Sequence, residues 1–183
     1  MYNSSPGRAA AAAVAILLFV AAAPRQLAKQ DVRGIRNFTR VDATVACAGA
    51  TPVEAIAALK REGFASILNL RKASEPGADV EASRAAAEAV GLEYIHLPFD
   101  SSAPDPEVVT EFLAAVSDKA NQPVFVHCGS ANRVGALWLV KRVMRDGWTI
   151  VQATEEAKAI GLRSGTLEAF ALKYLADNDK ERR

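Results

Sequence analysis

The sequence predicts an α/β fold, with a mostly parallel central sheet flanked by helices. Two observations carry this. From about residue 37 onward, short apolar runs alternate with helix-like stretches of ten or more residues, and strands joined by such crossovers pair in parallel and are covered on both faces. Thr, Asp, Pro and Gly also stand where those helices should start and stop. The chain has 183 residues, 50% apolar and 23% charged, which fits one globular domain with a real core.

In chain order, residues 1–36 come first. A polar opening with Arg8 leads into an apolar segment, residues 9–23, and then to Pro24 and Arg25, the pattern of an export signal. The run is shorter than the ~20 residues that span a bilayer. A signal peptide or short membrane anchor with a polar linker is therefore expected over 1–36. The protein should be periplasmic or secreted, with membrane association through this segment as a second expectation. "FTRVDATVACA" alternates loosely and reads as one or two short strands. "TPVEAIAALKREG" reads as a helix with Thr51 as N-cap, Pro52 at the first helical position, Glu54 closing a capping box and Gly63 ending it.

"FASILNLR" is a buried strand followed by the loop "KASEPG"; "ADVEASRAAAEAVG" is a helix, and "LEYIHLPFD" a second clear strand. Asp105 and Pro106 cap a third helix, and "PVFVHC" is the next strand. A helix follows Arg133 and stops at Gly147, with further helices over about 150–160 and 166–175. The globular domain is expected over 37–176, with a charged tail at 177–183.

The chemistry concentrates in "VFVHCGSANRVG", residues 124–135, which holds His127 and Cys128. In open α/β sheets ligands sit at the C-terminal ends of strands, where the next helix aims its free amides outward. Cys128 stands at that place. Gly129, Ser130, Ala131 and Asn132 form a loop of small residues whose N–H groups can curl around an anion, and Arg133 adds a planar, permanently charged fork suited to oxyanions. The expected species is a thiolate nucleophile. Arg71 and Asn69 end another strand and are placed at the same mouth, with Glu75 close behind. Cys47, His96, Trp138 and Trp148 are read as packing or structural residues.

These residues resemble the active-site signature of the cysteine-dependent tyrosine and dual-specificity phosphatases. In that signature a strand ends in His-Cys, a loop wraps the phosphate, and an arginine precedes a helix. The resemblance is closest to a bacterial branch that includes beta-lactamase-hydrolase-like phosphatase domains, and it covers about residues 37–175. It implies a dual-specificity phosphatase-like fold and a phosphoester hydrolase working through a cysteinyl-phosphate. Cys128 would be the nucleophile, and Arg133 with Gly129, Ser130, Ala131 and Asn132 would bind the phosphate. His127 would organise the loop, and Arg71 would add a substrate contact. The general acid would be Asp100, after "EYIHLPF", or else Asp105, which also reads as a helix cap. The partner would be a phosphorylated protein or a small phosphoester.

Two departures leave other readings open. Four residues separate Cys128 from Arg133 where the phosphatase loop usually has five, and Val134 stands where Ser or Thr is common. Four is also the spacing of many rhodanese-like sulfurtransferases, so sulfur transfer and an inactive phosphate-binding module are the rivals. A formal net charge of +1 gives no electrostatic case for nucleic acid, and two cysteines with two histidines are too few for a zinc site. No metal or other cofactor is expected. Export to an oxidising compartment would permit a disulfide between Cys47 and Cys128.

Overall fold

A computed structural model of the chain describes residues 27–180. Residues 1–26 of the segment read as signal peptide or anchor with linker, 1–36, and the last three residues of the charged tail lie outside the described residues. The sheet has six strands: β1 (Ala28–Lys29), β2 (Thr39–Arg40), β3 (Val45–Ala48), β4 (Ser66–Asn69), β5 (Glu93–His96) and β6 (Val124–His127). They lie in the order β1-β2-β3-β6-β4-β5. The pairings of β3 with β6, β6 with β4 and β4 with β5 are parallel, whereas β1, β2 and β3 run antiparallel.

Six helices follow the predicted rhythm: α1 (Ile56–Arg61), α2 (Val80–Ala89), α3 (Pro106–Ser117), α4 (Asn132–Asp146), α5 (Ile150–Ile160) and α6 (Gly165–Lys180). Strand alternation sorts the core into two layers. Val45, Cys47, Leu68, Val124 and Val126 face α3, α4, α5 and α6. Ala46, Ala48, Ile67, Tyr94 and Phe125 face α1 and α2. Trp138 is fully buried in the first layer and donates from Nε1 to Glu156 at 2.8 Å. It is core, as its place in the apolar stripe of α4 predicts.

Three expectations need correction. The stretch read as linker already carries β1, with Ala28 opposite Arg40 and Lys29 opposite Thr39. Both residues of β1 are exposed, so no apolar alternation marks this edge strand. The capping box at Thr51 does not form: Thr51 donates instead to the Gly49 carbonyl at 3.3 Å, and the helix opens with a 3-10 turn over Val53–Ala55. A capping box does form at α5, where Thr149 and Gln152 bond reciprocally. Finally, α6 runs on to Lys180, beyond the expected end at 175 and into the segment read as tail. Asp105 caps α3 as predicted, accepting from the Glu107 N–H at 2.9 Å.

Candidate active site

The strand order explains the site. β6 lies between β3 and β4, so the C-terminal end of the strand that carries Cys128 is flanked by the loops that follow both neighbours. Cys128 is 1% exposed, and the next three residues turn sharply into α4. Ala131 takes φ +69°, a left-handed conformation that a residue with a Cβ adopts only under constraint. It lets the backbone curl. The first N–H groups of α4 have no intrahelical acceptor, and they open beside the cysteine.

The loop is supported from two sides. The Ala50 N–H donates to the Gly129 carbonyl at 3.1 Å, and Gly49 bridges to Ser130. On the other side, Gly161 sits at φ +152°, where a Cβ would fall 2.8 Å from the Ala131 Cβ. Asn132 does not turn its side chain to a ligand: its Oδ1 accepts from the N–H groups of Arg163 at 2.6 Å and Ser164 at 2.9 Å. That side chain ties the loop to the α5–α6 connection. Its backbone stays at the start of α4, so the predicted contribution of Asn132 narrows to an amide.

Arg133 is 7% exposed and held from within. Its Nη1 donates to the carbonyls of Leu70 and Phe99, both at 3.1 Å, and to Glu75 Oε1 at 2.5 Å. Nη2 donates to Glu75 Oε2 at 2.8 Å, completing a bidentate pair. Of five guanidinium hydrogens, this leaves Nε–H and one on Nη2 for a ligand. Nη2 lies beside the loop, 3.5 Å from where a Cβ on Gly129 would stand. Burial opposes the charge on Arg133, but Glu75 and the Cys128 sulfur, which is within hydrogen-bonding reach, raise its pKa further. For Glu75, burial pushes the carboxyl up, yet bonds from Arg133, the Lys72 N–H and Arg71 bring it down to about 2.

The other predicted residues divide. Arg71 is buried, but its side chain donates to the carbonyls of Gly77 and Pro76, each at 2.7 Å, and to Glu75 at 3.3 Å. It shapes the 72–77 loop, and these three bonds leave two of its five guanidinium hydrogens for the predicted substrate contact. Asn69 is likewise occupied, with Tyr94 and the Arg71 N–H, and His96 meets the Arg71 carbonyl at 2.8 Å. Asp100 flanks the mouth. One of its carboxylate oxygens pairs with Lys72, the other accepts from Ser102 N–H and Oγ, and these bonds lower its pKa well below the carboxylate range. Asp105 caps α3 through its Oδ1.

Glu75, expected only close behind the mouth, anchors Arg133, and Lys72, for which no role is expected from the sequence, pairs with Asp100. The only local signal for them is a charged loop after a strand end, which is common on any surface. The thiols of Cys47 and Cys128 are both free, and burial pushes Cys47 strongly upward, away from ionisation. Among the described residues no group of three or more His, Cys, Asp and Glu side chains is placed to share a metal ion. No described helix is long and apolar enough to cross a membrane.

His127 stacks on Phe125 at 5.8 Å between ring centroids, and its buried Nδ1 has no partner among the described residues. Burial, then the positive charges of Arg71 and Arg133, push the imidazole down from 6.5 to about 3. The unfolded chain therefore binds a proton near pH 6.5 that the native state refuses until about 3. Stability is full above that window and falls as pH drops through it. Melting temperatures between about pH 6.5 and 4.5 should decline with acidity in the wild type and less steeply in His127→Phe; parallel slopes would show that His127 is not the group responsible.

The model of the beta-lactamase hydrolase-like protein, phosphatase-like domain, matches residues 36–144, well over half of the chain. Solved structures share the fold, among them the following three. A DUF442 protein of Shewanella putrefaciens CN-32 superposes with TM-score 0.67 at 20% identity, covering 79% of this chain and 95% of that one. The core catalytic domain of the PP-IP phosphatase SIW14 from S. cerevisiae gives 0.67 at 20% identity, covering 82% and 93%. TpbA of P. aeruginosa gives 0.63 at 21% identity, covering 82% and 89%. Comparison with curated proteins gives no match.

Proposed function

The chain belongs to the family of beta-lactamase hydrolase-like phosphatase-like domains, and from that membership we propose that it hydrolyses phosphoesters through a covalent cysteinyl-phosphate. The observation that carries the proposal is the guanidinium of Arg133. It is held by Glu75, Leu70 and Phe99, and its Nη2, still bonded to Glu75 Oε2, lies beside Gly129 with one hydrogen left over. An oxyanion fits there, with the amides of Gly129, Ser130, Ala131 and Asn132 around it.

The chemistry follows from the placement. The Cys128 thiolate attacks phosphorus, an S–P bond forms, and the bond to the leaving oxygen breaks with its electron pair going to that oxygen. Arg133 and the loop amides hold the non-bridging oxygens, where charge changes in the transition state. Asp100 delivers a proton to the leaving oxygen. Water then attacks phosphorus, the S–P bond breaks, and inorganic phosphate leaves with the thiolate restored. The substrate is a phosphorylated protein of the tyrosine or dual-specificity type, or a small phosphoester. TpbA has been solved in complex with phosphotyrosine, which supports the first. We further place the protein in the periplasm or outside the cell, directed there by the signal or anchor segment read over residues 1–36, on the sequence pattern alone.

The four-residue spacing favours a second reading, sulfur transfer through a persulfide on Cys128. One experiment separates the two: p-nitrophenyl phosphate hydrolysis under reducing conditions, beside intact mass after thiosulfate treatment. Turnover without added sulfur supports the phosphatase; one added sulfur atom without turnover overturns it. For the acid, Asp100→Asn should lower kcat for phenyl phosphate by about 10²-fold and scarcely for p-nitrophenyl phosphate, whose leaving group needs no proton. Equal losses on both would remove Asp100 from that role.

A further inference from the structure

We propose that Lys72 is a phosphate-binding residue shared between two anions: it pairs with Asp100 in the resting protein and moves to the phosphoryl group when substrate binds. The proposal rests on the phosphatase reading for its ligand, and it concerns a residue that neither the motif nor the sequence reading assigns.

The geometry places Lys72 at the rim of the anion site. Arg133 Nη1 holds the Leu70 and Phe99 carbonyls, so it joins the loop after β4 to the segment after β5 from within. Lys72 and Asp100 join the same two segments from outside, two residues beyond Leu70 and one beyond Phe99. The Lys72 N–H donates at 2.8 Å to Glu75 Oε1, the same oxygen that Arg133 grips at 2.5 Å. One carboxylate separates the root of Lys72 from the guanidinium.

The two partners differ in freedom. Asp100 is fixed independently of the lysine, because Ser102 N–H and Oγ both donate to its Oδ1 at 2.9 and 2.6 Å. Lys72 ends in a flexible four-carbon stem with rotatable donors, and its side chain is 41% exposed against 35% for Asp100. Such an exposed pair is weak and easily exchanged. The ammonium is the part that moves.

Charge supplies the direction. Within the site, the buried cations Arg71 and Arg133 share the single carboxylate of Glu75, so the interior group does not repel an arriving anion. A phosphate monoester then brings up to two negative charges. The dianion attracts Lys72 more strongly than a single carboxylate does. The exchange also relieves Asp100 of its cation. In the bound complex Ser102 still holds Oδ1, and Oδ2, released by Lys72, is the oxygen that takes a proton from solvent and passes it to the leaving oxygen.

The test is the affinity of the full chain for inorganic phosphate, measured at constant ionic strength as competitive inhibition or by calorimetry. Wild type, Lys72→Met, Lys72→Arg, Asp100→Asn and the double variant Lys72→Met with Asp100→Asn are compared. Lys72→Met should weaken phosphate by about 10-fold and Lys72→Arg should restore most of it. Asp100→Asn should tighten phosphate several-fold by releasing the lysine, and this gain should vanish in the double variant, which binds like Lys72→Met. Unchanged affinity in Lys72→Met overturns the proposal. So does an Asp100→Asn gain that persists in full without Lys72, since that would be only the removal of a nearby negative charge. These affinities do not depend on turnover, so failure of the phosphatase reading, seen as phosphate binding without Cys128-dependent hydrolysis, is a separate result.

Discussion

Replacing Cys128 by serine should abolish phosphoester turnover, by about 10⁴-fold or more, the scale on which removing a nucleophile acts, while leaving the fold and phosphate affinity in place. A serine hydroxyl is nearly isosteric with the thiol but a far weaker nucleophile at neutral pH. In this site it would have no base to activate it: His127 is the adjacent candidate, and its ring sits buried on the far side of the strand, stacked on Phe125. The anion cradle consists of loop amides and Arg133, none of which the substitution removes. The melting temperature should therefore change by no more than about 4 °C, the equivalent of about 1 kcal/mol in a chain of this size. Steady-state hydrolysis, a melting curve and a phosphate titration on the same preparation check all three. Retained turnover would place the nucleophile elsewhere. A wild type that binds phosphate yet never turns over would make this a binding module, and Val134 with the four-residue loop would then be the features to alter first.

Arg133→Lys is the second large effect, and it should reduce kcat/KM by about 10³-fold. The substitution keeps the charge but loses the fork. A lysine can neither hold Leu70, Phe99 and both oxygens of Glu75 at once nor present two parallel donors to an oxyanion. Because the side chain is buried, the freed carbonyls and carboxylate are left partly unsatisfied, and the melting temperature should fall by several degrees. Glu75→Gln probes the same fork from behind. It keeps the size but sets amide hydrogens against the guanidinium, and phosphate affinity should drop about 10-fold as Arg133 loses its anchor. Tighter phosphate binding in Glu75→Gln would instead show that the carboxylate competes with substrate for the arginine.

The helices and parallel strands were legible because their signals are local. "DPEV" carries an N-cap and a proline within four residues, and "VFVHC" is apolar up to the point where it meets the ligand. The reactive loop was legible for the same reason, since Cys128 and Arg133 lie within one turn and its following helix. The partners of Arg133 were not. Leu70 and Phe99 act through carbonyls that any residue would supply, and Glu75 is 58 positions away. The sheet order, with β6 inserted between β3 and β4, brings them together. Arg71 and Asn132 were assigned to the ligand because their residue types suit an anion. Arg71 instead donates to the Gly77 and Pro76 carbonyls and Asn132 accepts from the Arg163 and Ser164 N–H groups, engagements set by loop conformations that residue type does not encode. At Thr51 a sound capping pattern lost to the neighbouring Gly49 carbonyl.

The contact between Gly161 and Ala131 restricts how this sequence can drift. Position 161 combines a backbone conformation that side chains resist with a distance of only 2.8 Å from a would-be Cβ to the methyl of Ala131, so the two positions cannot diverge independently. In natural relatives with the same loop length, residue 161 should be held as glycine and residue 131 confined to alanine or glycine, while exposed neighbours such as Arg163 vary freely. The anion loop thus places a constraint on inheritance some thirty residues downstream, on a residue with no chemistry of its own.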